Sequence, residues 1–461
     1  MMVLRDKRVG VIGLAREGTD LARFLVAEGA QVLVNDARPA DKLADRLAEL
    51  DGLPIQYVLG GHPTSPTLDV EQLYVSPGVP PELPLLEEAR RRGVMLTSGT
   101  QLFFERCPAP IVGITGSSGK TTTTTLVGRI FEAAGRTSFV GGNIGVPLLN
   151  RLHEIRPDDW VILELSSFQL EPMTLSPHIA AITNITPNHL DRHLTMEAYT
   201  AAKLQILNHQ RHNDVAVLNA DDPASRALRP NGQVVRFSIE RKVDGAYLDG
   251  DTLVLDREGR RQSICCREEL QVPGLHNVAN VLTACAIASA AGIEVAPMRA
   301  AALAFTGVRH RLELIAEIDG VQYVNDSIAT APERSLAALA VYAGTPFVLL
   351  AGGRDKHLPM DEWAQVIADG ARALVTFGEA APLIERAARE AGMPPERIHS
   401  ADTVDRAVSV ARSVAQPGDV VLLSPGCTSY DQYNDFVERG DHFAETVRAV
   451  AAGAAATGRN A

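Results

Sequence analysis

The sequence predicts an α/β protein of three domains. Residues 1–104 read as a Rossmann-like domain, 105–308 as a central domain with a mostly parallel sheet of the P-loop ATPase kind, and 309–461 as a second Rossmann-like domain. Three observations carry this reading. A chain of 461 residues corresponds to roughly two to four domains. Short apolar runs alternate with stretches of helical periodicity, the pattern of βαβ units on parallel sheets. In the middle of the chain the apolar run "PIVGIT" leads straight into a Gly/Ser loop and a Thr-rich helix.

The first region opens with the strand "RVGVIG", the helical segment "TDLARFLVAEG" and a second strand, "QVLVND". Gly13, Ala15 and Gly18 occupy the positions of a G-x-G-x-x-G fingerprint, and Asp36 ends the next strand about 20 residues on. Ala15 replaces the glycine that would let a pyrophosphate approach most closely. From these residues alone, a nucleotide site and an ordinary strand-to-helix turn remain equal alternatives. Further on, "LYVSPGVP" ends a strand in a turn at Ser76, Pro77 and Gly78, at the carboxyl edge where open parallel sheets bind ligands.

The central loop "GITGSSGKTT" misses the pattern G-x-x-x-x-G-K-[ST] by one residue, because Ile114 stands where the first glycine belongs and glycines fall at 113 and 116. The phosphate reading is favoured over a plain Gly/Ser loop. Gly116, Ser117, Ser118 and Gly119 are small enough for successive N–H groups to curl around an anion. The next helix presents its N-terminus to the same place. Lys120 supplies a point charge, Thr121 a hydroxyl for magnesium, and Thr122 follows at the loop–helix junction. Thr123 to Thr125 read as helix residues.

More candidates stand at strand ends. "WVILELSSFQL" terminates a strand at Glu164, whose carboxylate suits magnesium but equally suits water. "AAITNITPNHLDRH" carries Asn188, His189 and Asp191 after another strand. Lys203 falls in the amphipathic segment "AYTAAKLQIL" and reads as a solvated face residue. Asn277 and Asn280 share a helix face at i, i+3, where they could cap the helix or hold an adenine edge. In the third region, strands are predicted at "GVQYVND", "PFVLLAGG", "ALVTFG" and "DVVLLSPG", with Asp326, Lys356 and the loop "SPGCTSYDQYNDF" at or beyond their ends. The tail "AAGAAATGRNA" is expected to be disordered.

Bulk chemistry narrows the function. A net charge of -12 argues against nucleic acid and anionic membranes as partners. The five cysteines, an odd number with Cys265 and Cys266 adjacent, have no metal or redox spacing and suit a reducing cytoplasm. The N-terminus has no leader-like core, and no run approaches about 18 apolar residues, so no membrane span is expected.

The blocks "GITGSSGKTT", "ELSSFQL", "NITPNHLDRH", "YTAAK", "GLHNVANVLTA", "HRLELI", "VNDSIAT" and "LLSPGCTSYDQ" occur in this order along nearly the whole chain. Together they resemble the Mur ligase family, which uses this form of the phosphate loop, and most closely its branch that adds D-glutamate. The resemblance implies a cytoplasmic, monomeric, ATP-dependent enzyme that joins glutamate to UDP-N-acetylmuramoyl-L-alanine through an acyl phosphate. It implies two magnesium ions, the first held by Thr121 and Glu164, the second by His189 and Lys203, with Lys203 carbamylated into an oxygen ligand. By the same resemblance Lys120, His189 and Lys203 are catalytic, and Asn277, Asn280, Arg311 and Asp326 contact ATP. Asn143 and His189 contact the muramoyl-alanine part, and Asp36, Arg38 and Ser76 lie where UDP is gripped. Thr330, Lys356, Ser429 and Phe436 match the acceptor site, where Tyr430 replaces a smaller aliphatic residue. Ile328 departs from the pattern: the branch carries lysine in this block. The same reaction with L-glutamate and a folylpolyglutamate synthase-like ligase are the alternatives. A nicotinamide dehydrogenase is disfavoured by Ala15 and the central loop.

Overall fold

The computed structural model describes residues 4–145, 147–187, 190–272, 274–356 and 358–457. The chain divides into two compact units, Met1–Phe305 and Thr306–Ala461, and carries three sheets.

Two sheets belong to the first unit. Five parallel strands run in the order Ile55–Leu59, Gln31–Asp36, Arg8–Ile12, Gln72–Val75, Met95–Thr97. The order reverses between Arg8–Ile12 and Gln72–Val75, the point at which doubly wound sheets open a ligand crevice. The inner strands are apolar on both faces because helices cover both. Val9, Val11, Val32 and Val34 are all buried, and they share one core with residues of the central sheet such as Leu163 and Ile182.

The central sheet has nine strands. Its parallel part runs Gly245–Asp249, Gln233–Ser238, Val215–Asn219, Ile179–Ile182, Ile111–Thr115, Trp160–Glu164, Ser138–Gly142. Thr252–Arg257 and Arg260–Cys266 extend one edge as an antiparallel meander. The α/β class and the mostly parallel central sheet match the expectation. The meander departs from the expected pattern, since its strands are partly exposed and joined by turns rather than helices.

The second unit holds six strands in the order Glu313–Ile318, Val321–Asn325, Val420–Gly426, Phe347–Gly352, Ala371–Phe377, Ile398–Ser400, all parallel except the first pair. Alternate residues of Phe347–Gly352 enter two different cores: Phe347, Leu349 and Ala351 one, Val348 and Leu350 the other. A strand buried on both faces is the centre of its sheet. The expected disorder of 451–461 is corrected through Thr457, because the helix Phe436–Thr457 continues that far on an alanine-rich sequence of high helix propensity. Residues 458–461 lie outside the described residues.

The first turn depends on tight packing. A Cβ on Gly18 would lie 2.0 Å from the Gly13 carbonyl oxygen. Gly18→Ala is therefore expected to cost about 2 kcal/mol through overpacking, read as a lower melting temperature. Gly78→Ala, with nothing within 4 Å of the added carbon, should stay within about 0.5 kcal/mol of the parent.

Candidate active site

The phosphate loop leaves the strand Ile111–Thr115, which lies between Ile179–Ile182 and Trp160–Glu164. Ile114 pairs with Glu164, so the loop and this carboxylate start from the same level of the sheet. The Glu164 side chain is 2 % exposed. It accepts a hydrogen bond from Thr121 Oγ1 at 2.7 Å on one oxygen and from Asn143 Nδ2 at 2.8 Å on the other. The solvated alternative for Glu164 is thereby excluded. Three residues from three separate segments meet at one buried carboxylate.

Gly119, with φ 78°, is the left-handed residue that starts the helix Lys120–Ala133, and its missing Cβ would lie 2.3 Å from Asn280 Oδ1. Asn280 in turn donates to Asn277 Oδ1 at 3.3 Å. The two amides therefore face each other, and Asn280 touches the loop. Thr122 is half-buried at the helix start, and Thr123 and Thr124 are buried in the helix, as expected for packing residues.

One expectation about the loop needs correction. The N–H groups of Ser117 and Ser118 do not turn inward toward an anion. Ser117 donates to the Asn184 carbonyl at 3.0 Å and Ser118 to Asn184 Oδ1 at 3.0 Å. Backbone donors take the partner at hand, and Asn184 reaches the loop from the end of the neighbouring strand. Ser117 Oγ also donates to the Thr186 carbonyl at 2.8 Å and pairs with the Tyr199 hydroxyl at 3.0 Å.

Lys203 is a second correction. Far from facing water, it is 2 % exposed. Its Nζ donates to the Gly116 carbonyl at 2.9 Å and lies 4.6 Å from the Tyr199 ring centroid. Lys120 Nζ donates to the same Gly116 carbonyl at 2.9 Å. Burial, then the charge of Lys120, push the Lys203 amine down to about 7, against an opposing pull from Glu164. His189 and its neighbour Asn188 lie outside the described residues.

In the first sheet's crevice, a cleft of about 540 Å³ is lined by Ala15, Arg16, Asp36, Arg38, His62 and Ser76 among others. Asp36 accepts from the Leu14 N–H at 2.7 Å and from Arg38 through its Nε at 2.9 Å and Nη2 at 2.8 Å. Burial alone would raise this carboxyl; the Arg38 side chain and the Leu14 and Arg38 N–H groups outweigh it and bring it down to about 2. Ser76 Oγ donates to the Gly13 carbonyl at 2.9 Å, tying the two crevice strands together. Arg16 reaches the central domain and donates to the Gly145 carbonyl at 2.8 Å.

In the second unit, Asp326 is buried at the end of Val321–Asn325 and accepts from Ser424 Oγ at 2.8 Å. Burial drives its carboxyl up to about 7, despite that bond, the Leu312 N–H and the charges of Arg311 and Arg334. Arg311 is exposed. Lys356 Nζ donates to Thr330 Oγ1 at 3.4 Å, and burial followed by the charge of Arg334 lowers its amine. Ser429 is buried and Tyr430 is 56 % exposed. The Phe436 carbonyl accepts from Ser327 Oγ at 2.8 Å, next to the half-buried Ile328.

Three family models cover most of the chain: "Mur ligase MurD-like, N-terminal domain" over residues 7–98, "Mur ligase middle domain" over 114–288, and "Mur ligase, glutamate ligase domain" over 310–427. The chain is 44% identical over 450 residues to the UDP-N-acetylmuramoylalanine–D-glutamate ligase of Symbiobacterium thermophilum, covering 96% of this chain and 98% of that protein. Against the enzyme of the same name from Pelotomaculum thermopropionicum it is 43% identical, covering 96% and 97%. The chain belongs to the Mur ligase family. Its fold is that of the UDP-N-acetylmuramate-alanine ligase of Thermotoga maritima, with a TM-score of 0.53 at 19% identity over 96% of this chain and 100% of that one.

Several neighbours of the predicted Mur ligase residues escaped the sequence. Tyr199 precedes Lys203 by one helical turn, and that i, i+4 spacing was a readable signal for a shared face. Asn184 and Thr183, whose Oγ1 donates to the Ser118 carbonyl at 2.6 Å, follow the strand Ile179–Ile182 within the quoted block "NITPNHLDRH" or just before it, and their position at a strand's carboxyl end is the available hint. Arg16 gave no local signal.

The Asp36 network has a defined pH dependence in this Mur ligase. Its folded value, about 2, lies below the ordinary aspartate value. Its contribution to stability is therefore present above about pH 4 and is lost as pH falls through 2. Asp36→Asn should lower stability by about 1 kcal/mol at pH 7. Denaturant melts of both proteins at pH 7 and at pH 3 should show that gap shrinking in acid.

Proposed function

We propose that this Mur ligase joins D-glutamate to UDP-N-acetylmuramoyl-L-alanine, with ATP converted to ADP and phosphate. The observation that carries the reading is the Glu164 carboxylate held between Thr121 of the phosphate loop and Asn143. It links the ATP side of the site to the residue assigned to the muramoyl-alanine side. The choice of D-glutamate follows the names of the two relatives. L-Glutamate stays as the second reading because Ile328 brings no cation to the acceptor block.

The chemistry asks for activation of a poor electrophile. Phosphorylation of the terminal carboxylate of the muramoyl-alanine substrate gives it a good leaving group. The amine of glutamate then attacks the acyl carbon, and phosphate departs. Most of the enzyme's contribution is positioning and charge stabilisation. Lys120 brings positive charge to the transferred phosphoryl group. Asn277, Asn280, Arg311 and Asp326 hold ATP, while Lys120, Thr121 and Thr122 at the helix start meet its phosphates and Gly116, Ser117, Ser118 and Gly119 shape the loop around them. Asn143 and His189 orient the muramoyl-alanine carboxylate. Asp36, Arg38 and Ser76 bind the UDP part, with Asp36 acting chiefly by fixing Arg38 and the Leu14 turn. Thr330, Lys356, Ser429, Tyr430 and Phe436 bind the acceptor. The segments 1–104, 105–308 and 309–461 divide these tasks.

Hard oxygen donors suit magnesium, and the Glu164 carboxylate with the Thr121 hydroxyl meet that requirement. Magnesium, when bound, offsets charge on the phosphate oxygens. We assign a first ion to Thr121 and Glu164 and a second to His189 and a carbamylated Lys203. What supports the carbamate is the burial of Lys203 on the Gly116 carbonyl that Lys120 also uses. A second ammonium there repels the first, whereas a carbamate attracts both Lys120 and a cation. We place the reaction in the cytoplasm and the active form as a monomer. Among the described residues, no helix is long and apolar enough to cross a membrane.

Three measurements test this reading. Phosphate release should require ATP, UDP-N-acetylmuramoyl-L-alanine and glutamate together, with kcat/KM for D-glutamate above that for L-glutamate; the reverse preference would replace the acceptor while leaving the ligase. Lys120→Ala should lower turnover about a hundredfold or more with the fold intact, and near-normal acyl-phosphate formation would refute the ATP site. Lys203→Ala should be inactive and partly restored by short carboxylates at millimolar concentration. A folded variant that keeps full activity would end the carbamate role.

A further inference from the structure

We infer that Arg439 is a positioning residue for the acceptor amino acid: its guanidinium fixes the three loops that carry the acceptor contacts and places a permanent positive charge beneath them. The inference rests on the proposed acceptor site in the third domain.

Arg439 lies on the helix Phe436–Thr457 and is 0 % exposed. Its Nε donates to Ser327 Oγ at 3.0 Å and its Nη2 to the Ser327 carbonyl at 2.9 Å. Its Nη1 donates to the carbonyls of Cys427 at 3.2 Å and Gly352 at 3.4 Å. These three residues stand at or just beyond the carboxyl ends of Val321–Asn325, Val420–Gly426 and Phe347–Gly352, which are adjacent in the sheet. The same three loops go on to carry Thr330, Ser429 and Lys356. The backbone closes directly over the guanidinium: a Cβ on Gly353 would lie 3.0 Å from Nη1 and 1.9 Å from the Thr428 carbonyl oxygen.

The partners are all neutral oxygens. Among the described residues no carboxylate lies within ion-pair distance of Arg439, although Asp431 acts on it from farther away. Burying a cation without a counter-ion is costly. A protein that needed only a staple between three loops could use neutral groups. Carbonyls and a hydroxyl satisfy the guanidinium's donors without cancelling its charge, so the charge stays available to an anion above the loops. Glutamate brings two carboxylates, and Ile328 contributes no cation in the loop that Arg439 holds. The rigid fork of arginine explains the residue type, because one ammonium nitrogen cannot reach three loops in fixed geometry.

The test is steady-state kinetics on R439K, R439M and Ser327→Ala with each substrate varied in turn, alongside melting temperatures. For R439K, which keeps the charge but not the fork, the KM for glutamate should rise about tenfold, and for R439M about a hundredfold. The KM values for ATP and the UDP substrate should stay within about twofold and kcat at saturation within about threefold. Ser327→Ala should give a smaller rise in the same KM alone, and it carries the test with R439K if R439M does not fold. A glutamate KM within about twofold of wild type in folded R439K and Ser327→Ala would overturn the inference. So would an equal rise in all three KM values, the mark of a general loss of structure. Thr330→Val and Lys356→Ala separate the two levels. If they leave the glutamate KM unchanged, the acceptor reading itself fails; if they raise it and the Arg439 variants do not, only the role of Arg439 fails.

Discussion

The shared carboxylate of Glu164 is the constraint on which the rest of the central domain depends. Its strand is paired on one side with Ile111–Thr115 and on the other with Ser138–Gly142, and Glu164 is level with Ile114 and with Gly142. The phosphate loop and the segment after Gly142 therefore emerge side by side, one from each neighbouring strand. A buried carboxylate between them must find donors on both sides, and Thr121 and Asn143 are those donors. Asn143 is held a second time, by its own N–H on the Glu164 carbonyl at 2.8 Å. An apolar residue at 164 would leave both donors without their acceptor, so loop placement and sheet register are parts of one requirement.

Among the described residues two lysine or arginine side chains are buried, Lys203 and Arg439, and the fold treats them differently. Lys203 meets one carbonyl, the face of Tyr199 and the nearby charge of Lys120, and its amine is pushed toward neutrality at about 7. Arg439 is more deeply enclosed, yet its guanidinium comes down only to about 10 and keeps its proton at neutral pH. The difference lies in the groups themselves. An ammonium is a compact, strongly hydrated charge that yields its proton when desolvated; a guanidinium spreads its charge over several donors. Burial therefore brings the lysine close to losing its proton at neutral pH, while the arginine keeps its charge.

These two residues also mark what was legible in the sequence. Strand ends were readable, because an apolar run that stops at an acid or at a Gly/Ser loop reports both the element and its edge. Thr121, Glu164 and Asp326 stand at such ends, and the α/β class follows from the spacing of such runs. Lys203 reads as solvated because helical periodicity says which residues share a face, not whether that face is covered. Its cover, Tyr199 and the Gly116 loop, becomes visible only after the sheet has brought positions 116 and 203 together. The donation of Ser117 and Ser118 to Asn184 is equally non-local. Arg439 gave no signal, since an arginine in a charged helical stretch reads as solvent-facing until three distant loops close over it. The meander at the edge of the central sheet was missed for another reason: partly exposed strands lack the apolar runs that mark an inner strand.

The first domain carries a fingerprint whose backbone contribution to anion binding is weakened. With Ala15 in place of the middle glycine, the backbone cannot come as close to a diphosphate. Asp36, where a ribose-binding acid is expected, has its oxygens engaged by the Leu14 N–H and the Arg38 side chain. Both usual contributions of the turn are weakened together. Side chains with donors line the cleft instead, among them Arg16, Arg38 and His62. Arg16 is anchored on the Gly145 carbonyl and Arg38 on Asp36, so neither is a loose surface charge. Held guanidinium groups are the donors such a cleft can offer an anion in place of backbone N–H groups; in Arg38 the Nε and Nη2 edge is already taken by Asp36, which leaves Nη1. In a chain of net charge -12 this local placement matters more than the total. The Gly145 anchor lies just beyond Asn143, so the first domain's cation and the central carboxylate Glu164 take their positions from one short stretch of backbone.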